Sequence, residues 1–129
     1  MDGRRDIKSA MGYTKFMKII SKDQATRFKN SESCIAIEYP IGDKDVNGAI
    51  IKLTGRYPDK GRVVNLKCKE LAYVIEGSGR ITIEGQDSNL KEGDVVLIEP
   101  GEKYFWDWVL TIFVSCTPDW YPEQHKEVE

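Results

Sequence analysis

From Cys34 onward the chain is a series of short β-branched and aromatic segments, each cut off by turn residues, at a spacing of about 8–12 residues. This rhythm constrains the fold more than any other feature. The segments are Cys34–Tyr39, Ala49–Tyr57, Arg62–Lys67, Glu70–Glu76, Arg80–Glu84, Val95–Ile98, Tyr104–Trp108 and Val109–Cys116. Between them lie Gly42-Asp43, Pro58-Asp-Lys-Gly61, Gly85-Gln-Asp-Ser88 and Glu99-Pro-Gly101, all turn formers. Gly77-Ser-Gly79 is read as a tight hairpin between two of the strands. Many short strands with glycine punctuation predict an all-β sandwich or barrel.

One helix signal stands apart. Ser21-Lys-Asp-Gln24 has capping-box spacing and predicts one short N-terminal helix over about residues 22–29. Thr14–Ile20 reads as a short edge strand. The expected organisation is a flexible N-terminus over 1–13, a barrel over 14–116 and an aromatic, proline-broken tail over 117–129.

Composition removes several functions. Nineteen Lys+Arg against twenty-one Asp+Glu give a formal charge of −2, with no basic stripe for nucleic acid. No apolar run is long enough for a membrane helix. The single histidine, His125, excludes any site built on two histidines of one chain. Cys34, Cys68 and Cys116 are far apart and form no CxxC pair. Without a secretion signal, reduced thiols and a cytoplasmic location are expected.

Two stretches carry a family signature. Gly93-Asp-Val-Val-Leu-Ile-Glu-Pro-Gly-Glu-Lys-Tyr104 reads without a gap against a glycine, five residues, proline, one residue, glycine, two residues and histidine, with Glu99 at the proline position, Pro100 after it and Tyr104 at the histidine position. Glu70, six residues and Gly77 match the end of a preceding motif. The chain resembles the cupins in these stretches. Its tail, Cys116-Thr-Pro-Asp-Trp-Tyr-Pro122 and onward, resembles the end of small single-domain bacterial cupins. The resemblance implies a jelly-roll β-barrel. It also implies where a metal would be held: at His-x-His, a glutamate and a third histidine. Those positions carry Val63 and Asn65 (or Val64 and Leu66), Glu70 and Tyr104. Only the glutamate remains, so neither a transition metal nor another cofactor is expected.

The same register implies the site. Alternation along a strand puts Tyr104, Trp106 and Trp108 on one face. With Tyr104 in the histidine's place, all three point into the barrel beside Glu70, with Asn65 and Val63 at the same mouth. Each tryptophan has a competing reading as plain core. A carboxyl buried among aromatics has a raised pKa and suits general acid or base work. Paired with Tyr104, it would serve isomerase, epimerase or lyase chemistry without a metal. The competing reading makes Glu70 a fold residue held by Asn65, Tyr104 or a turn amide. Cys68, between Lys67 and Lys69, is either an activated thiol or a small buried hydrophobe. His125 reads as a solvated tail residue.

The function expected is metal-free binding of a small sugar-like or carbonyl-bearing molecule in the barrel. The alternatives are the enzyme just described and a non-catalytic structural or sensory barrel. A homodimer is also expected. Leu71, Tyr73 and Ile75 form a second apolar face on the strand that carries Ala72 and Val74, and cupin barrels commonly pair sheet to sheet.

Overall fold

The computed structural model describes residues 17–129. Within them lie nine strands: β1 (Thr26–Ser31), β2 (Cys34–Tyr39), β3 (Asn47–Thr54), β4 (Arg62–Asn65), β5 (Lys69–Ile83), β6 (Gln86–Lys91), β7 (Val95–Ile98), β8 (Lys103–Thr117) and β9 (His125–Val128). Every strand pair is antiparallel. β5 and β8, each of 15 residues, pair along their whole length, from Lys69–Thr117 to Ile83–Tyr104. One half of this ribbon carries β7 on one edge and β3, β2 and β1 on the other. The other half carries β6 on one edge and β4 and β9 on the other. The two layers close into an all-β barrel around Leu53, Val63, Val74, Ile81, Ile98, Leu110 and Ile112.

Both long strands bend in the middle. β5 carries a bulge between Val74 and Glu76. An extra residue there moves the inward face from Glu70, Ala72 and Val74 to Gly79 and Ile81. Gly77 follows at φ +92°, and a Cβ on it would strike the carbonyl oxygen of Val109. A Cβ on Gly79 would lie 2.6 Å from Leu110 and 2.7 Å from the Asp107 carbonyl oxygen. The two glycines therefore mark a corner inside one strand, where a neighbouring strand comes too close for side chains. They do not form the hairpin that their sequence suggested.

Other expectations change in similar ways. The helix over 22–29 is a single 3-10 turn, Lys22–Gln24. Gln24 does fold back, accepting the Ser21 N–H at 2.8 Å, but β1 pairing with β2 takes the chain from Thr26 onward. Of the edge strand read over Thr14–Ile20, residues 14–16 lie outside the described residues and 17–20 have no regular structure. The flexible segment over 1–13 also lies outside them. β6 is polar except for Leu90 and was hidden inside a predicted turn. The turn itself is the pair Glu84 (φ +49°) and Gly85 (φ +80°), the left-handed geometry of a two-residue hairpin.

On the outer side, Leu71 and Tyr73 are each 48% exposed and Ile75 44%. Val95, Leu97 and Phe113 flank them on β7 and β8 and are also exposed. No described segment covers this apolar face.

The corner can be tested by paired glycine substitutions. Gly85→Ala, with open space around its Cβ, should cost about 1–2 kcal/mol from left-handed strain alone. Gly77→Ala adds a backbone collision and should cost about 2–5 kcal/mol. Urea unfolding that gives equal losses for the two would mean the corner is not tight.

Candidate functional site

The interior of the barrel is not full. A cavity of about 190 Å³ opens among β2, β3, β5, β8 and the tail. Its space comes from small side chains. β2 turns Cys34, Ala36 and Glu38 toward it, and leaves Ile35, Ile37 and Tyr39 to the other face. β3 contributes Ala49 where a larger residue would close the gap. β8 contributes Tyr104, Trp106, Ile112, Val114 and Cys116, and β5 contributes Glu70. Tyr57, Trp120 and His125 complete the wall.

A polar chain runs behind this wall, and its direction is fixed from one end. The backbone N–H groups of Lys67 and Cys68 both donate to Gln124 Oε1 at 3.1 Å. Backbone amides only donate, so that atom is the oxygen and the other end of the Gln124 amide is the donor. Gln124 Nε2 donates to Asn65 Oδ1 at 2.9 Å. The same oxygen lies 2.8 Å from His125 Nδ1, so Nδ1 carries the imidazole proton. Nε2 is left as an acceptor and faces the Tyr57 hydroxyl at 3.3 Å. In the other direction Asn65 Nδ2 donates to the Tyr104 hydroxyl at 3.3 Å, and Tyr104 approaches Glu70 Oε1 at 3.5 Å. Cys116, paired with Glu70 across the ladder, directs its thiol at Glu70 Oε2 at 3.6 Å.

Burial sets the charge state of these groups. It holds the Glu70 carboxyl above the usual carboxylate range, against hydrogen bonds from Asn65, Cys116 and Tyr104 that favour the anion. Burial, then the proximity of Glu70, pushes Tyr104 and Cys116 well up. Burial raises Tyr57 as well, and lifts Cys34 to about 11. It lowers His125, keeping the imidazole neutral. A raised acid and a lowered base therefore share one cavity.

Residues 58–114 match the model of the EutQ-like cupin domain. Among solved structures the chain is similar to Pac13, a nucleoside dehydratase, with 14% identity, a TM-score of 0.78, and coverage of 90% of this chain and 92% of that one. It is also similar to KdgF from Halomonas sp. at 13% identity, with a TM-score of 0.64 over 80% of this chain and 96% of that one. Oxalate decarboxylase from Bacillus subtilis matches at 15% identity with a TM-score of 0.71, over 89% of this chain but 33% of its own length. The matched segment and the shared barrel together support a small protein of the cupin superfamily. No functionally curated protein matches its sequence, and likeness at these identities establishes the fold alone.

A cupin's interior invites the question of a metal. Here Val63, Asn65, Glu70 and Tyr104 stand at the expected ligand positions. Val63 has no donor atom, Asn65 is engaged by Gln124 and His125, Tyr104 is held as the phenol, and burial favours neutral Glu70. Among the described residues no three His, Cys, Asp or Glu side chains gather within reach of one ion. This donor set does not fit a divalent transition metal.

The structure brings Glu70, Tyr104 and Trp106 to the cavity, with Asn65 directly behind Tyr104. Two expected members are elsewhere. Trp108 sits at the bend of β8 with φ +72°, nearly half exposed, its ring 5.0 Å from the Arg80 guanidinium. The left-handed residue breaks the strict alternation that had placed it inside. Val63 is wholly buried opposite Tyr104 but does not line the cavity. His125 is no solvated tail residue: β9 pairs with β4 and sets it opposite Asn65. Cys68 is buried, its thiol on the Pro118 carbonyl oxygen at 3.3 Å and raised to about 11, the state of a small core residue. Nothing local in the sequence marks His125 or Tyr57, because long-range pairing brings them in, β9 with β4 for His125 and an isolated bridge to Trp106 for Tyr57.

Glu70 makes a pH prediction. A carboxyl raised in the folded state binds more protons there than in the unfolded chain. Its contribution to stability is present below the ordinary value of 4.5 and is lost as pH rises through the folded value. His125 has the opposite slope, losing stability as pH falls below 6.5. Glu70→Gln mimics the protonated acid, so its stability relative to wild type should climb with pH from 4.5 upward. A wild-type advantage that grows with pH would show that Glu70 is held as a carboxylate.

Proposed function

We propose that the barrel binds a small polar molecule in this cavity without a transition metal. The observation that supports it is empty space next to an oriented polar wall. Glu70, Tyr104, Asn65 and His125 are aligned by hydrogen bonds that start from two backbone amides. A core that only needed filling would be cheaper with apolar residues. The volume suits a sugar-like or carbonyl-bearing molecule of a few heavy atoms. Tyr104 and Trp106, with rings 87° apart, offer two differently oriented walls. Three buried free thiols fit a reducing compartment, the cytoplasm.

A second reading makes the protein an isomerase, epimerase or lyase. Its support is the opposite displacement of Glu70 and His125, which leaves a neutral acid and a neutral base in one site. Tyr104 would then relay or donate a proton beside Glu70. The two readings part at Glu70: an acid catalyst must keep its proton until the reaction uses it.

The partner on the outer side is, in this proposal, a second copy of the chain. Leu71, Tyr73, Ile75, Leu97 and Phe113 form an exposed apolar sheet face, the kind of patch that a two-fold axis would set against its own copy. A standard interface hides about 800 Å² on each partner, and exposed faces of this kind mark such interfaces.

Two measurements test these statements. Native mass spectrometry of purified protein should give twice the chain mass, with far less than one iron, manganese, nickel or zinc per chain. A monomer refutes the dimer, and one full equivalent of metal refutes the metal-free site. Ala36→Leu fills the cavity from β2. It should leave the protein folded and weaken by at least tenfold the binding of any ligand found in a tryptophan-fluorescence screen of neutral small molecules. Ligands that bind this variant as well as wild type would place their site elsewhere.

A further inference from the structure

The make-up of the cavity wall points to the charge of its ligand; this step rests on the reading that the cavity is a ligand site. The described residues that line it include two carboxyl groups, Glu70 in the buried part and half-buried Glu38 farther out, and no lysine or arginine. Four aromatic side chains share the lining: Tyr57, Tyr104, Trp106 and Trp120. His125 adds no positive charge, since burial disfavours its imidazolium and its Nδ1 proton is committed to Asn65. An anion entering here would meet two carboxyl groups and no cationic partner. A neutral molecule would gain little from the second carboxyl. A cation gains from both, and from the negative faces of the rings.

We propose that the cavity takes a compact organic cation, the primary or quaternary ammonium group of a small molecule, with Glu70 as its counter-charge and Tyr57, Trp106 and Trp120 as its aromatic wall. Glu70 is well placed for this. Its carboxyl is buried, and an ion pair formed out of water is stronger than one at the surface. The fixed dipoles already aimed at it favour the carboxylate: Cys116 Sγ–H on Oε2 and Tyr104 O–H on Oε1. What opposes that form is desolvation, which an ammonium group at van der Waals distance would offset.

A consequence follows for protons. Binding a cation beside Glu70 lowers its proton affinity, so the complex releases a proton. The groups facing Glu70 do not mask this. Tyr57, Tyr104, Cys34 and Cys116 all stay protonated, being raised mainly by burial. His125 stays neutral. Glu38, raised by burial and by Asp119, responds to a cation in the same sense as Glu70.

The test is calorimetry on the full chain with matched probes. Choline and n-butylammonium are the cations, 3,3-dimethylbutan-1-ol is the neutral isostere of choline, and 3,3-dimethylbutanoate is the anion. At least one cation should bind ten times tighter than the alcohol, with the carboxylate weakest. Its heat should depend on the buffer in the way that proton release requires. Glu70→Gln should remove most of the preference for cation over alcohol. Trp120→Leu leaves Glu70 intact and keeps the test decisive if the first variant does not fold; it should weaken the cation by about 2–30-fold and the alcohol much less. An alcohol or carboxylate that binds as tightly as the cations, in a manner lost in Ala36→Leu, overturns the cation while leaving the ligand site standing. Failure of all these probes at millimolar concentration, together with failure of the neutral screen, overturns both.

Discussion

The ladder between β5 and β8 is common to both layers of the barrel, and the other strands take their positions from its edges. Its register sets Glu70 opposite Cys116 and Gly79 opposite Trp108. A straight ribbon of this length could not curl around a core. The bulge at Ile75 and the close approach at Gly77 and Gly79 supply the bend, and they reverse the inward face of β5 halfway along. That reversal lets one strand place a carboxyl in the cavity at one end and Ile81 in the apolar core at the other.

The site inherits its order from a different constraint. Amide orientations and imidazole tautomers are ambiguous in isolation, and a buried network with ambiguous members can rearrange at little cost. Here two backbone N–H groups at the β4–β5 corner decide the orientation of Gln124, which decides that of Asn65 and the tautomer of His125. The result is a polar wall with one arrangement. The fold meets the cost of burying polar atoms by pairing them in sequence. Gln124, 2% exposed and outside the cavity lining, thus orders the candidate site from behind, next in the chain to His125.

Much of the fold was legible because it rests on local signals. Turn residues and β-branched runs marked β2, β3, β4 and β7, and marked β5 and β8 as two segments each. The match of Gly93 to Tyr104 fixed the register that brings Tyr104 and Trp106 inside. Failures occurred where tertiary context overrode a local rule. Gly77-Ser-Gly79 has hairpin composition but sits at a strand corner. Trp108 obeys the alternation in number and breaks it in backbone conformation. β6 and β9 have the composition of loops and become strands because an open edge beside them lacks partners. His125 was unreadable for the same reason, since its position depends on β9 finding β4.

The inner face of β2 carries the last step. Its alternation favours Ile35, Ile37 and Tyr39 as the buried set, because they are the larger hydrophobes. The barrel instead turns Cys34, Ala36 and Glu38 inward and leaves the larger residues half-buried on the other face. Burial alone would favour the opposite register, since each large apolar side chain removed from water is worth about 1.5–3 kcal/mol. Pairing β2 with β3 from Cys34–Leu53 to Tyr39–Gly48 fixes the choice and leaves a space lined by small residues. A stripe of small side chains facing Tyr104 and Trp106 across a barrel holds a cavity open at an energetic cost. That cost, set beside an ordered polar wall, is the physical ground on which the proposed ligand site rests.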